Sequence, residues 1–193
     1  MKKSQVEYGM KITPIDQTVH RNTTVKGTEG HPHAATLNIV PLVLSEITQA
    51  ALNFPVVLVK DSYSGRFYAT ALLGLKDKEN LICHERVWNT TYVPLNIKRL
   101  PFAIGESQKG DGSLGPCIDE ESQYVQVEGG RDTENTADKG ERLFDSDGNK
   151  TAYLSNAESF LASLYELELA SQNFINTITT LKLIVPLRVN MTQ

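Results

Sequence analysis

Hydrophobic positions along the chain come in short runs through the first two thirds and in one long helical period near the end. The run Thr36-Leu37-Asn38-Ile39-Val40-Pro41 opens the core. Residues 45–52 then predict a short helix, with Ser45 as its N-cap and Asn53 as its stop. Phe54-Pro55-Val56-Val57-Leu58-Val59 is short, apolar and rich in β-branched residues, which is the pattern of a buried strand. After the turn Asp61-Ser62-Tyr63-Ser64-Gly65, residues 66–73 predict the return strand of a hairpin. Another apolar piece lies at Leu81-Ile82-Cys83, and further strand signals fall at residues 100–104, where Pro101 points to an edge, at Pro116-Cys117-Ile118 and at residues 124–127. A short helix is expected from Tyr92-Val93-Pro94-Leu95 through Arg99.

The clearest helix comes last. Ser155-Asn156-Ala157-Glu158 fits a capping box. Apolar residues follow at Phe160, Leu161, Leu164, Leu167, Phe174, Ile175, Ile178 and Leu181, a 3/4 spacing that slips between residues 169 and 171. Residues 183–189 predict a final strand. Together these elements give an α+β fold, a mostly antiparallel sheet packed by a long C-terminal helix. The sheet is expected to unite the hairpin at 54–73 with the segments near 100–127.

Two regions stand apart. Residues 1–34 are polar and aperiodic, and they hold His20, His31 and His33 of the four histidines. They predict an irregular N-terminal arm ahead of a single domain over 35–193. Residues 105–150 hold 12 acids, 5 bases and 8 of the 13 glycines. They predict an acidic, glycine-rich insert of short strands and loops, with residues 128–140 its most mobile part.

Composition narrows the class but not the task. With 193 residues, 40% of them apolar, there is material for one core. The net charge of -4 lacks the basic excess of a phosphate-gripping nucleic-acid binder, so no nucleic-acid partner is expected. No apolar run approaches the roughly 20 residues of a membrane helix, and the basic opening has no apolar stretch behind it. The expectation is therefore no membrane span, no Sec signal and a cytoplasmic location, with export to the cell surface by another route as the alternative. Two cysteines are too few for a disulfide framework.

Catalytic constellations are weak. His31-Pro32-His33 places two imidazoles on one side of an extended chain, but no third ligand clusters with them, so neither a metal nor any other cofactor is assigned. Cys83-His84 is a poor dyad, because neighbours on a strand face opposite ways. Phe144-Asp145-Ser146-Asp147-Gly148-Asn149 opens like a calcium loop but has Asn156 where the closing acid belongs; a turn on Asp147-Gly148 explains it better.

Several segments resemble the SapC family of bacterial proteins. They are Asn38-Ile39-Val40-Pro41 with Glu46, Phe54-Pro55-Val56-Val57, Leu73-Gly74-Leu75 with Glu79-Asn80-Leu81, then Trp88 and Tyr92-Val93-Pro94. Arg99-Leu100-Pro101-Phe102, Cys117-Ile118-Asp119 and Leu143-Phe144-Asp145-x-Asp147-Gly148 continue the series, and His20 sits where such proteins often carry a histidine. The likeness covers residues 10–185 or so. It departs where residues 83–87 precede Trp88 without a glycine, and at the C-terminus, where family members usually continue; a truncated or reduced member is expected. The resemblance implies a tie to surface-layer or cell-envelope processes and carries over no catalytic residue.

Two functions follow as expectations. The first is a non-enzymatic binding or assembly protein, with a protein partner or a second copy of itself. The second is an enzyme or enzyme accessory acting on a peptide or a small carboxylate-bearing molecule. Its candidate ligand-binding residues are His20, Trp88, Tyr92 and Arg99: in one pocket the guanidinium would hold a carboxylate and the aromatic rings would stack.

Overall fold

The computed structural model describes residues 11–27, 30–108, 111–126 and 140–187. In chain order the strands and helices are β1 (Ile12–Pro14), β2 (Thr24–Val25), β3 (Ile39–Pro41), α1 (Ile47–Ala50), β4 (Val56–Lys60), β5 (Phe67–Leu72), β6 (Cys83–His84), β7 (Val87–Trp88), α2 (Leu95–Lys98), β8 (Phe102–Glu106), β9 (Leu114–Asp119), β10 (Val125–Gln126), β11 (Glu141–Arg142) and α3 (Ala152–Thr180). Two 3-10 turns, Pro32–Thr36 and Leu44–Glu46, precede β3 and α1. The α+β class holds. The sheet, however, is not single: strands assemble in the orders β1-β9-β8, β10-β2-β11 and β3-β5-β4, with β6-β7 as a separate hairpin.

Register explains that division. β5 is filled on both sides, by β4 through Val56↔Ala71 to Lys60↔Phe67 and by β3 through Ile39↔Leu72. β9 is likewise filled by β8, through Phe102↔Ile118, and by β1, through Ile12↔Asp119. Neither central strand has an edge left for the other hairpin. β1 and β2 both lie within residues 1–34, the stretch expected as an irregular arm, and each joins a sheet. Residues 1–10, 28 and 29 lie outside the described part, as do 128–139 of the segment expected to be most mobile.

Two apolar cores result. One gathers Val40, Leu42, Phe54, Leu73, Trp88 and Ile97 around β3-β5-β4. The other gathers Val25, Phe102, Ile118, Tyr124, Leu143 and Phe144 around the remaining sheets. α3 serves both, with Leu154 and Leu161 in the second core and Ile175 in the first. Its buried stripe runs Leu154, Leu161, Leu164, Ser171, Ile175, the spacing of one helix face. The slip in the apolar pattern is Ser171, a polar residue in the stripe, whose Oγ accepts the Leu44 amide at 2.6 Å and donates to the Leu167 carbonyl at 2.6 Å.

The helix starts earlier than the capping-box reading placed it. Thr151 is the N-cap, its Oγ1 accepting the Leu154 amide at 3.3 Å. Ser155 lies inside the first turn and donates to the Thr151 carbonyl, while Glu158 pairs with Lys150 at 2.7 Å. Residues 183–187, expected as a strand, have no strand partner among the described residues. No described helix is long and apolar enough to cross a membrane. The 145–149 segment is a tight turn: Asp145 Oδ1 accepts the Asp147 and Asn149 amides, and Gly148 takes φ 87°.

Candidate functional site

Glu46 is the hub of the first core's polar contacts. It is 4% exposed, at the end of the Leu44–Glu46 turn. Its Oε1 accepts the Val43 amide at 2.8 Å; its Oε2 accepts the Tyr92 hydroxyl at 2.6 Å and the Leu95 amide at 3.0 Å. These three donors fix the start of α1, the residue before Val93-Pro94 and the first turn of α2. Burial, reinforced by the Glu46 charge, pushes the Tyr92 phenol well above its ordinary range.

Trp88 and Arg99 join the same neighbourhood. Trp88 packs edge-on against Phe54 and donates from Nε1 to the Tyr92 carbonyl at 2.8 Å. Arg99 donates from Nε to Asn96 Oδ1 at 2.9 Å and from Nη1 to the Phe102 carbonyl at 2.8 Å. Asn96 in turn donates to the Pro41 carbonyl at 3.2 Å. Burial lowers the Arg99 guanidinium pKa, opposed by attraction to Glu168 across on α3. Glu168 moves up, through the burial of its carboxyl, with Arg99 pulling the other way. Glu168 is exposed, which damps both effects.

His20 is elsewhere. It is fully buried in the loop between β1 and β2, where the Asp16 amide donates to its Nδ1 at 3.0 Å. That bond puts the proton on Nε2, which faces Glu120 Oε1 at 3.3 Å but off the line of a hydrogen bond. Glu120 is held by Lys11 at 2.8 Å, the main reason its carboxyl titrates lower than usual. Of the four candidate ligand-binding residues, then, Trp88 and Tyr92 are linked through the Tyr92 carbonyl, Arg99 is held by Asn96 and the Phe102 carbonyl at the end of α2, and His20 sits apart from both. None of them lines the cavity beside the Pro32–Thr36 turn.

That cavity encloses about 430 Å³ between the Pro32–Thr36 turn, the Leu100-Pro101 corner and the loop after β9. His33, Arg86, Asp119 and Tyr124 face it. Burial drives the His33 imidazole down to about 4, so the ring is neutral at pH 7. Its Nε2 lies 3.3 Å from the Ile97 carbonyl, an acceptor, which places the proton there. Nδ1 is then an acceptor, buried and without a partner. The rings of His33 and Tyr124 meet edge-on at 5.5 Å. Gln123 donates to the Tyr124 hydroxyl at 3.0 Å and leans against Arg86 at 3.4 Å.

Arg86 owes its place to an unusual turn. β6 and β7 pair as Cys83↔Trp88 and His84↔Val87, leaving Glu85 and Arg86 as a two-residue connection. Both take positive φ, 49° and 65°. A turn of this kind favours Asn-Gly, and each side chain here stands in a region that L residues avoid. Sequence reading missed Arg86, Tyr124 and this role of His33; the one available signal was a two-residue gap without glycine between strand-like pairs. Among the described residues no group of three or more His, Cys, Asp or Glu side chains is arranged to hold a metal. His31 and His33 stack edge-on at 5.7 Å instead of converging. Burial raises the Cys83 thiol pKa, away from a nucleophilic thiolate.

Residues 15–193 match the family model for SapC, and the chain belongs to that family. No curated protein and no solved structure matches it.

Proposed function

From membership of the SapC family, we propose that this chain works by association, as a binding and assembly protein tied to surface-layer or cell-envelope processes, and that its partner is a second copy of itself. The observation that carries the reading is the apolar run beyond α3. Leu181, Leu183, Val185 and Leu187 are 62%, 65%, 80% and 74% exposed. Isolated exposed apolar residues are ordinary, but four within seven positions form surface of the kind that association covers.

The run is strand-prone in sequence and unpaired among the described residues. The β3-β5-β4 sheet ends in β4, Val-Val-Leu-Val-Lys, whose outer edge is unpaired in the same sense. Each copy therefore offers both an edge and a segment able to add to one. Further support comes from the candidate chemical groups. Trp88 Nε1, the Tyr92 hydroxyl and Arg99 Nε and Nη1 donate to Glu46, Asn96 and backbone carbonyls, which supports a framework role for them.

Native mass spectrometry at two protein concentrations tests the proposal. The expected result is an oligomer whose share grows with concentration and which disappears in a Leu183→Ser/Val185→Ser double variant. Both side chains are exposed, so that variant should fold. A wild-type monomer at both concentrations, or an oligomer indifferent to the double substitution, would overturn self-association.

A further inference from the structure

We propose that the cavity beside the Pro32–Thr36 turn is a binding site for a small, flat, carboxylate-bearing molecule that carries a hydrogen-bond donor at its far end. The site lies apart from the run beyond α3 and stands whether or not the chain self-associates. About 430 Å³ is in the range of small-ligand pockets, which run from roughly 300 to 1,000 Å³. Pro32, Leu37, Leu100, Pro101 and the Tyr124 ring give it a mainly apolar lining, suited to a flat apolar body.

Its polar groups set the two ends. At the Arg86 end, the guanidinium has five donors and a planar fork that matches a carboxylate. Among the described residues it makes no ion pair, and its one side-chain contact, with Gln123, is long at 3.4 Å. The backbone that presents it is held at φ 65°, on a turn a glycine would adopt without strain. Strain kept at a residue whose charge is unanswered points to a use for that charge. At the His33 end the demand reverses. The His33 ring edges the wall here, and its Nδ1, an acceptor with no partner, lies behind the cavity surface with almost no exposed area. Asp119, also in the wall, is a second acceptor, its Oδ1 taking the Lys11 and Glu121 amides. A donor on the ligand answers this end, and a second carboxylate there would be repelled. The contacts from Arg86 through Gln123 to Tyr124 and His33 tie both ends into one wall.

The test uses 6-hydroxy-2-naphthoate as probe, with 6-hydroxy-2-naphthamide and 2-naphthoate as its uncharged and donor-free counterparts, followed by calorimetry at pH 7. Histidine ring nitrogens are watched in parallel by NMR. The expected result is saturable binding of the hydroxynaphthoate, at least tenfold weaker binding of the amide, and several-fold weaker binding of 2-naphthoate. The His33 Nδ1 resonance should move on saturation. Arg86→Gln, an exposed substitution, should abolish the preference for acid over amide, while Arg66→Gln, on the exposed β4–β5 turn, should leave it intact. Absence of binding at millimolar probe, equal binding of acid and amide, or an unchanged preference in Arg86→Gln would each overturn the proposal. Equal binding of the two acids with a silent His33 would overturn its donor end.

Discussion

Glu46 shows what a single side chain does here. One carboxylate, almost wholly buried, answers two backbone amides and a phenol that would otherwise be orphaned inside the first core. Removing one partner from a buried charge is more disruptive than the average hydrogen bond suggests, because the others lose their answer too. Glu46→Ala is expected to lower unfolding free energy by about 3 kcal/mol, against about 1–2 kcal/mol for Tyr92→Phe, in urea denaturation. Equal, small losses would mean that solvent reaches the hub. His33 supplies the pH dependence. Its folded value of about 4 lies below the usual 6.5, so between those limits the unfolded chain binds the extra proton. Stability should therefore be complete above pH 6.5 and fall as pH drops toward 4, by at most about 3 kcal/mol. His31, lowered by burial and Lys98, adds in the same direction, and Tyr124, Arg86 and Asp119 are the other ionisable groups at the ring's cavity side. His33→Gln should flatten that slope, read from urea midpoints at pH 7, 5.5 and 4.5; an unchanged slope would remove His33 as its source.

Elements were legible where a local rule acts alone. The β4–β5 hairpin, the short helices at α1 and α2, and the existence of α3 follow from periodicity and turn chemistry. The start of α3 was misplaced because Ser155-x-x-Glu158 satisfies the capping pattern as well as the true cap does, and only tertiary contact decides between them. Thr151 wins because its hydroxyl also reaches the Arg142 and Leu143 carbonyls and so joins the helix to β11. Thr151→Ala should lower stability by about 1 kcal/mol and Ser155→Ala by clearly less, both from denaturant midpoints. The β6–β7 turn was invisible for the opposite reason: Glu85-Arg86 breaks the local rule. Replacing the pair by Asn-Gly should raise stability by about 1 kcal/mol or more. If the strain serves Arg86, the same variant should lose the carboxylate preference of the cavity. A variant that gains no stability would show that the turn is not strained.

At the scale of the molecule, α3 decides how the two cores behave. No other described element contributes buried side chains to both. This was hidden in the sequence, because strand partners depend on which edges remain open once β5 and β9 are filled, and no residue pattern declares that. The candidate chemistry was hidden likewise. Trp88, Tyr92 and Arg99 fall within twelve positions and bond to different partners, Tyr92 to Glu46 and Arg99 to Asn96, whereas His33, Arg86 and Tyr124 meet from three distant segments. A helix that anchors in both cores makes each core's loss felt by the other. Leu161→Ala in the second core and Ile175→Ala in the first should each lower stability by about 2–4 kcal/mol while leaving one cooperative transition. Two glycines at the exposed positions Ala162 and Ser163 weaken only the rod between the anchors, by about 1 kcal/mol at Ala162 and about 0.5 kcal/mol at Ser163 in intrinsic helix propensity. If α3 transmits cooperativity, circular dichroism and Trp88 fluorescence, which reports on the first core alone, should then give separated urea midpoints. Coincident midpoints in that variant would mean that the cores are coupled through contacts other than the helix.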